Sequence, residues 1–206
     1  MTVSKPVILA ILAMAAVVVL SNILVQHLFG DWLTWGAFTY PIAFLVTDLT
    51  NRAFGPAKAR QVVFAGFIVG VVCSLVASQM VSAEGYPLTT LRIAIGSGVA
   101  FLVAQLVDVF IFDRLRSGTW WRAPLASTLI GSSLDTALFF SIAFSASFAF
   151  IDASDPNGWA LDPVPLLGAG PVYPLWVSLA VADFAVKLTL ALVALIPFRA
   201  LSARMA

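Results

Sequence analysis

The chain has 206 residues, 61% of them hydrophobic and 10% charged, with a formal net charge of +1. That balance excludes an ordinary soluble domain and leaves no room for a large second one. One polytopic transmembrane domain over residues 1–206 is expected. The lack of any basic run excludes a nucleic-acid surface, and the lone Cys73 excludes an internal disulfide.

A membrane crossing needs about 20 apolar residues. Lys5 with Val7–Leu20 has the outline of a secretory signal, but the apolar run continues through Val25, so residues 6–25 read as a first membrane helix. The second segment, 33–49, is the shortest and contains Pro41. The third spans 62–81, the fourth 91–112, the fifth 125–150 and the sixth 175–198. The fold class expected is an all-α membrane protein of six transmembrane helices.

Charge placement supports the same number. With six crossings, Lys5, Arg52, Lys58, Arg60, Arg114, Arg116, Arg122, Arg199 and Arg204 all fall on one face. The opposite face holds Arg92 as its loop cation, with Asp31, Glu84, Asp152, Asp155 and Asp162. The positive-inside rule then places both termini in the cytoplasm. Trp120 and Trp121 sit where an interfacial aromatic belt belongs. The long segment 151–174 is either a plain connector or the cover of an external entrance.

The informative residues are the ionisable ones inside these oily segments. Each costs on the order of 2.5–3.5 kcal/mol at the bilayer centre, so a chain that only sat in lipid would omit them. Tyr40, Phe44 and Asp48 follow at spacings of four, which places two rings and a carboxylate on one face. Asp48 reads equally as a helix-end partner of Arg52, four residues on, or as the wall of a pocket. Gln105 and Asp108 share a face of the fourth segment, and Gly96, Ser97, Gly98 and Ala100 precede them as a close-packing surface. An aspartate there needs a cationic or donor partner. Asp135, after Ser127, Thr128, Ser132 and Ser133, lies deeper than a helix cap and suits hydrogen-bond donation or proton carriage. Asp183 and Lys187 stand four apart in the order that favours an intrahelical pair. Asn22 and Ser21 lie near the outer end of the first helix, His27 just beyond it. Gly66 and Gly70 form a small-residue pair for packing. Neither a nucleophile elbow, nor a P-loop, nor a paired-histidine zinc motif occurs, so no enzyme, cofactor or metal is expected.

Several runs together resemble the queuosine precursor transporter family, also called the vitamin uptake transporter family. They are Asn22-Ile23-Leu24, Leu33-Thr34-Trp35-Gly36-Ala37-Phe38, Tyr40-Pro41, Thr47-Asp48-Leu49-Thr50, and Phe54-Gly55 with Ala59-Arg60. Further on come Arg92-Ile93-Ala94, Gln105 with Asp108, Phe112-Asp113-Arg114-Leu115-Arg116, Trp120-Trp121, Ala123-Pro124, Gly131, Asp135-Thr136, and Asp183 with Lys187. Arg52 stands where many relatives place a glutamate, as in a proteobacterial branch of the family. The resemblance implies import of 7-cyano-7-deazaguanine or 7-aminomethyl-7-deazaguanine across the bacterial inner membrane, for tRNA queuosine. A flat deazaguanine offers N–H donors beside a carbonyl. Candidate acceptors are Asp108, Asp135 and Asp183, and candidate donors are Gln105, Asn22 and Lys187. Tyr40, Phe44 and Trp35 are candidate stacking rings, and Asp48 completes the set. The small-molecule cargo and the lipid bilayer are the partners implied, with a homo-oligomer or an energising subunit left open. The rival readings are a substrate-capture subunit of an ATP-driven uptake complex and an intramembrane enzyme using paired acids.

Overall fold

The computed structural model describes residues 4–82 and 85–203; Glu84 and Arg204, two of the charges counted above, lie outside them. The chain runs α1 (Lys5–Leu24), β1 (Leu28–Phe29), β2 (Leu33–Thr34), α2 (Gly36–Thr39), α3 (Ile42–Phe54), α4 (Pro56–Gln79), α5 (Leu91–Leu115) and α6 (Arg122–Phe144). After α6 come β3 (Pro163–Pro165), β4 (Val172–Pro174) and α7 (Leu175–Ser202). Its strands, among the described residues, form two small antiparallel hairpins in the connections, β1–β2 and β3–β4. Helices dominate because lipid cannot hydrogen-bond a backbone, and a helix satisfies its own.

Five helices, α1, α4, α5, α6 and α7, are long and apolar enough to cross a membrane. The remaining expected span divides into α2 and α3. Tyr40 and Pro41 keep right-handed helical dihedrals at the junction. Proline has no N–H to continue the ladder, so bonds there tighten to Ala43 N–H on the Tyr40 carbonyl and Phe44 N–H on the Pro41 carbonyl. Alone, α3 is about 20 Å long; residues 36–54 together reach about 28 Å.

Other boundaries differ from the expected ones. Helix α4 starts at Pro56, not residue 62. Gly55, at φ +80°, turns the chain directly from α3 into α4, and proline suits the first helical position. Lys58 and Arg60 therefore lie on the helix. Helix α6 ends at Phe144, not residue 150. Ser145 is extended there, and the Arg92 guanidinium donates to the carbonyls of Ile142 (3.2 Å) and Ser145 (2.6 Å). Residues 146–151 continue as a 3₁₀ turn. Arg92 is thus a buried helix-end clamp in the first turn of α5, not a loop cation.

Helix α1 packs on α4, α4 on α5, α5 on α6 and α6 on α7, while α3 closes against α4, α5 and α7. The Gly66–Gly70 pair serves packing as expected. A Cβ on Gly66 would stand 2.6 Å from Met14 Cγ, and Met14, Val18, Val62, Val63 and Phe101 form the core around it. Gly96 meets the Phe139 carbonyl and Ala143 across α5 and α6. Segment 151–174 is a folded cover over that end of the bundle. Ala160 is fully buried against Phe140, Ala143 and Phe144, and the Asp155 carboxylate accepts from Thr90 Oγ1 at 2.9 Å. The Leu167 N–H, in the turn after β3, donates to Ser178 Oγ on α7 at 3.1 Å.

Candidate functional site

The intramembrane acids turn inward, but they form two groups rather than the one shared hollow the sequence suggests. Helix α6 carries both, because Ser127, Thr128, Gly131 and Asp135 recur at helical spacing along one face. The Tyr40–Phe44–Asp48 stripe runs antiparallel to it, residue against residue.

At one end, Lys187 on α7 sits between two carboxylates. Its Nζ lies 2.7 Å from Asp135 Oδ2 and 2.5 Å from Asp183 Oδ2. It also donates to Thr136 Oγ1 at 3.0 Å, and Thr136 Oγ1 donates to Asp183 Oδ2 at 2.8 Å. The Tyr40 hydroxyl donates to Asp135 Oδ1 at 3.3 Å, and its ring centre stands 5.9 Å from the ammonium. The Asp183–Lys187 spacing is the local pair expected, but Asp135 joins it from another helix. The group therefore ties α6, α7 and the α2–α3 junction together. Low surrounding polarity makes such a network strong when complete and costly when broken.

Asp48 and Asp108 meet two turns along α3, about 12 Å from Tyr40 by helical rise. Asp48 accepts from Ser127 Oγ at 3.2 Å and Thr128 Oγ1 at 3.3 Å. The Asp108 carboxyl adjoins Asp48, with the Thr47–Gln105 and Asn51–Val109 bonds joining α3 to α5 on either side, and neither of its oxygens is in hydrogen-bond geometry with a donor. The cationic or donor partner expected for Asp108 is not there; its neighbour is a second acid. Nor does Asp48 pair with Arg52, since Arg52 reaches the Arg116 carbonyl at 2.8 Å instead. Gln105 Oε1 accepts from Thr47 Oγ1 at 2.6 Å, which leaves the buried Gln105 Nε2 and Ser132 Oγ without partners.

Phe44 separates the two groups. It is 1% exposed and lies over Gly131, where a Cβ would approach its ring to 2.7 Å. Any side chain at 131 would also meet the Ala104 carbonyl at 3.3 Å, so glycine there admits both the ring and α5. Beside Phe44 a cavity of about 260 Å³ opens between α3, the start of α6 and the end of α7. Pro41, Phe44, Ala191 and Phe198 contribute to its apolar walls, and Asp48 and Thr128 are its polar members.

Asn22 stays apart from both groups, its amide donating to Val18 O in its own helix at 2.9 Å. Trp35 packs edge-on to Phe29 outside the acid groups. The partners absent from the expected set are Ser127, Thr128, Thr136 and Thr47. Their signal was present, as hydroxyls on the face of α6 that carries Asp135 and one residue before Asp48. Serine and threonine read as packing residues until the opposing acid is seen. Groups of three or more metal-ligating side chains are absent among the described residues.

Several apolar helices enclosing buried ionic groups, with an apolar cavity against one of them, fit a multi-pass membrane transporter. The family model described as "Putative vitamin uptake transporter" matches residues 34–201. The "Queuosine precursor transporter" of Escherichia coli (strain K12) is 37% identical over 194 residues, covering 88% of this chain and 79% of that protein. A "Probable queuosine precursor transporter" of Haemophilus influenzae is 44% identical over 124 residues, covering 55% of this chain and 53% of that protein. The chain belongs to the vitamin uptake transporter family. No solved structure matches it. The family is named as one of transporters, not of enzymes.

Proposed function

We propose that the protein imports queuosine precursors, 7-cyano-7-deazaguanine, 7-aminomethyl-7-deazaguanine or both, across the bacterial inner membrane for tRNA queuosine salvage. The carrying observation is that a buried acceptor, Asp48, borders an apolar cavity beside the Phe44 ring and Pro41. A flat base with N–H donors on one edge suits such a slot, its faces on hydrocarbon and its edge on the carboxylate. The relatives' names supply the cargo class, queuosine precursors. Of the residues singled out in the sequence, Asp48 and Phe44 contact cargo in this arrangement. Gln105 and Asp108 stand behind Asp48, and Tyr40, Asp135, Asp183 and Lys187 brace the far side.

The chain crosses six times in this reading, with α2 and α3 jointly forming one crossing and both termini in the cytoplasm. The structure supports this through its cations. Arg52 and Arg116 bond each other's backbone carbonyls, and Arg199 lies over Trp120, so these arginines gather where the short connections and the end of α7 meet.

Purified protein in liposomes should take up a labelled deazaguanine, and unlabelled guanine should compete less well than either precursor. Uptake by the lone chain supports an autonomous importer. Binding without uptake, restored by an ATPase subunit, would make it the capture component of a larger complex.

A further inference from the structure

A group left unexplained by cargo contact is Asp108. It is fully buried, and both of its oxygens lie without a donor against a second acid. Two carboxylates cannot both stay ionised side by side in a low-dielectric interior without a cation. Among the described residues, no cation is paired with these acids. Lys187 is held by Asp135 and Asp183, Arg52 and Arg116 are held at backbone carbonyls, and Arg116 also bonds Asp113.

Among the described residues, the neighbours that the other elements bring to the pair are uncharged. Helix α6 presents the Ser127 and Thr128 hydroxyls and Ser132. Helix α4 brings Ala59, Val62 and Val63 to the core beside α3, and α7 lines the cavity here with Leu190, Ala191, Ala194 and Phe198. Groups of three or more metal-ligating side chains are absent among the described residues, so the pair lacks the shell of a metal cation. A proton needs no such shell. One O–H on either acid, donated to the facing oxygen of the other, neutralises the contact.

We propose that Asp48 and Asp108 form the proton-coupling site of this transporter, Asp108 storing a proton that Asp48 exchanges with the cavity. The inference rests on the reading of the protein as an importer. The balance is simple. A proton leaves hydronium at the cavity mouth and bonds to Asp48, and Asp48 then donates across the contact to Asp108. Release reverses both transfers onto water on the other side. Cargo seated on Asp48 competes for the same carboxylate, which links its arrival to the movement of the proton.

Two measurements on the full-length protein test this. Infrared difference spectroscopy in detergent, which needs no cargo, should show the C=O stretch of a protonated carboxyl at neutral pH in the wild type. The band should vanish in Asp108→Asn, where Ser127 and Thr128 still donate to the Asp48 carboxylate, and persist in Asp48→Asn, where Asp108 stays buried without a donor or a cation. In proteoliposomes, an outward-acid gradient of one pH unit should raise accumulation of 7-aminomethyl-7-deazaguanine about tenfold if one proton accompanies each base. Asp108→Asn should abolish that stimulation while retaining counterflow exchange at equal pH. An absent wild-type band, a band that persists in Asp108→Asn, or accumulation that follows sodium instead of pH would overturn the proposal. Failure of counterflow by the wild type would instead count against the cargo, and the infrared result would still judge the proton site.

Discussion

The two buried acid groups share a helix, α6, and little else. In the Lys187 group three helical elements meet on one ammonium, and the carboxylate oxygens that face inward are hydrogen-bonded. In the Asp48 group there is no ammonium, Asp108 lacks a donor, and a cavity lies alongside. A saturated network specifies a packing arrangement. An unsaturated one beside open space is poised to accept something else, whether an N–H edge or a proton. Under the proposal the first group braces and the second exchanges, and that contrast can be broken by experiment.

The largest effect is expected at Lys187. Lys187→Met would leave the buried Asp135 and the half-buried Asp183 without their cation, and breaking a buried pair in this way costs about 3–5 kcal/mol. The variant should lose most of its membrane-inserted, monodisperse protein and show a much lower thermal midpoint in detergent. Adding Asp135→Asn and Asp183→Asn to it should recover a large part of that loss. A stable Lys187→Met protein whose only defect is transport would move Lys187 from bracing to exchange.

Asp48→Asn should show the opposite profile. An asparagine carbonyl still accepts from Ser127 or Thr128, so stability should change by about 1 kcal/mol or less, the size of one ordinary hydrogen bond. Uptake in proteoliposomes should nevertheless fall at least about tenfold, equivalent to roughly 1.4 kcal/mol of lost interaction with cargo. Equal losses of stability in the Asp48 and Lys187 variants would erase the distinction between the groups.

Much of this contrast could be anticipated from the sequence, and the remainder has a physical cause. Ionisable residues stand out in apolar runs, so Asp48, Asp108, Asp135, Asp183 and Lys187 were all identifiable as inward-facing. The i,i+4 spacing also exposed the Asp183–Lys187 pair. Pairings between helices were not legible, because they depend on rotation and depth of packing. Asp135 could have met any cation, and Asp108 met an acid. Local spacing even suggested the wrong partner for Asp48, since Arg52 one turn on is drawn out to the Arg116 carbonyl. Helix ends followed the same rule. Ser145 interrupts an apolar run because Arg92, from a different helix, holds its carbonyl.

Gly131 sits on the boundary between the groups and sharpens the comparison at intermediate cost. Gly131→Ala places a methyl 2.7 Å from the Phe44 ring and 3.3 Å from the Ala104 carbonyl. Overpacking of this kind costs typically about 1–3 kcal/mol. Phe44 is the movable party, so Phe44→Leu should relieve part of the cost in the double variant. The thermal midpoints of the two single variants and the double variant form a cycle that measures this coupling. A coupling near zero would mean that the ring does not depend on the glycine.

Arg52 gives the smallest expected effect and the cleanest check on which neighbour Asp48 uses. Its guanidinium is exposed, and its bond to the Arg116 carbonyl is at the surface. Arg52→Ala should change stability by no more than about 0.5 kcal/mol, as surface substitutions usually do. Combined with Asp48→Asn, the two changes should add, because Asp48 is turned to Ser127 and Thr128 instead. A coupling above about 0.5 kcal/mol between positions 48 and 52 would restore the helix-end pair. Asp48 would then be a charge held at a helix end, and the cavity beside it would lose its acceptor.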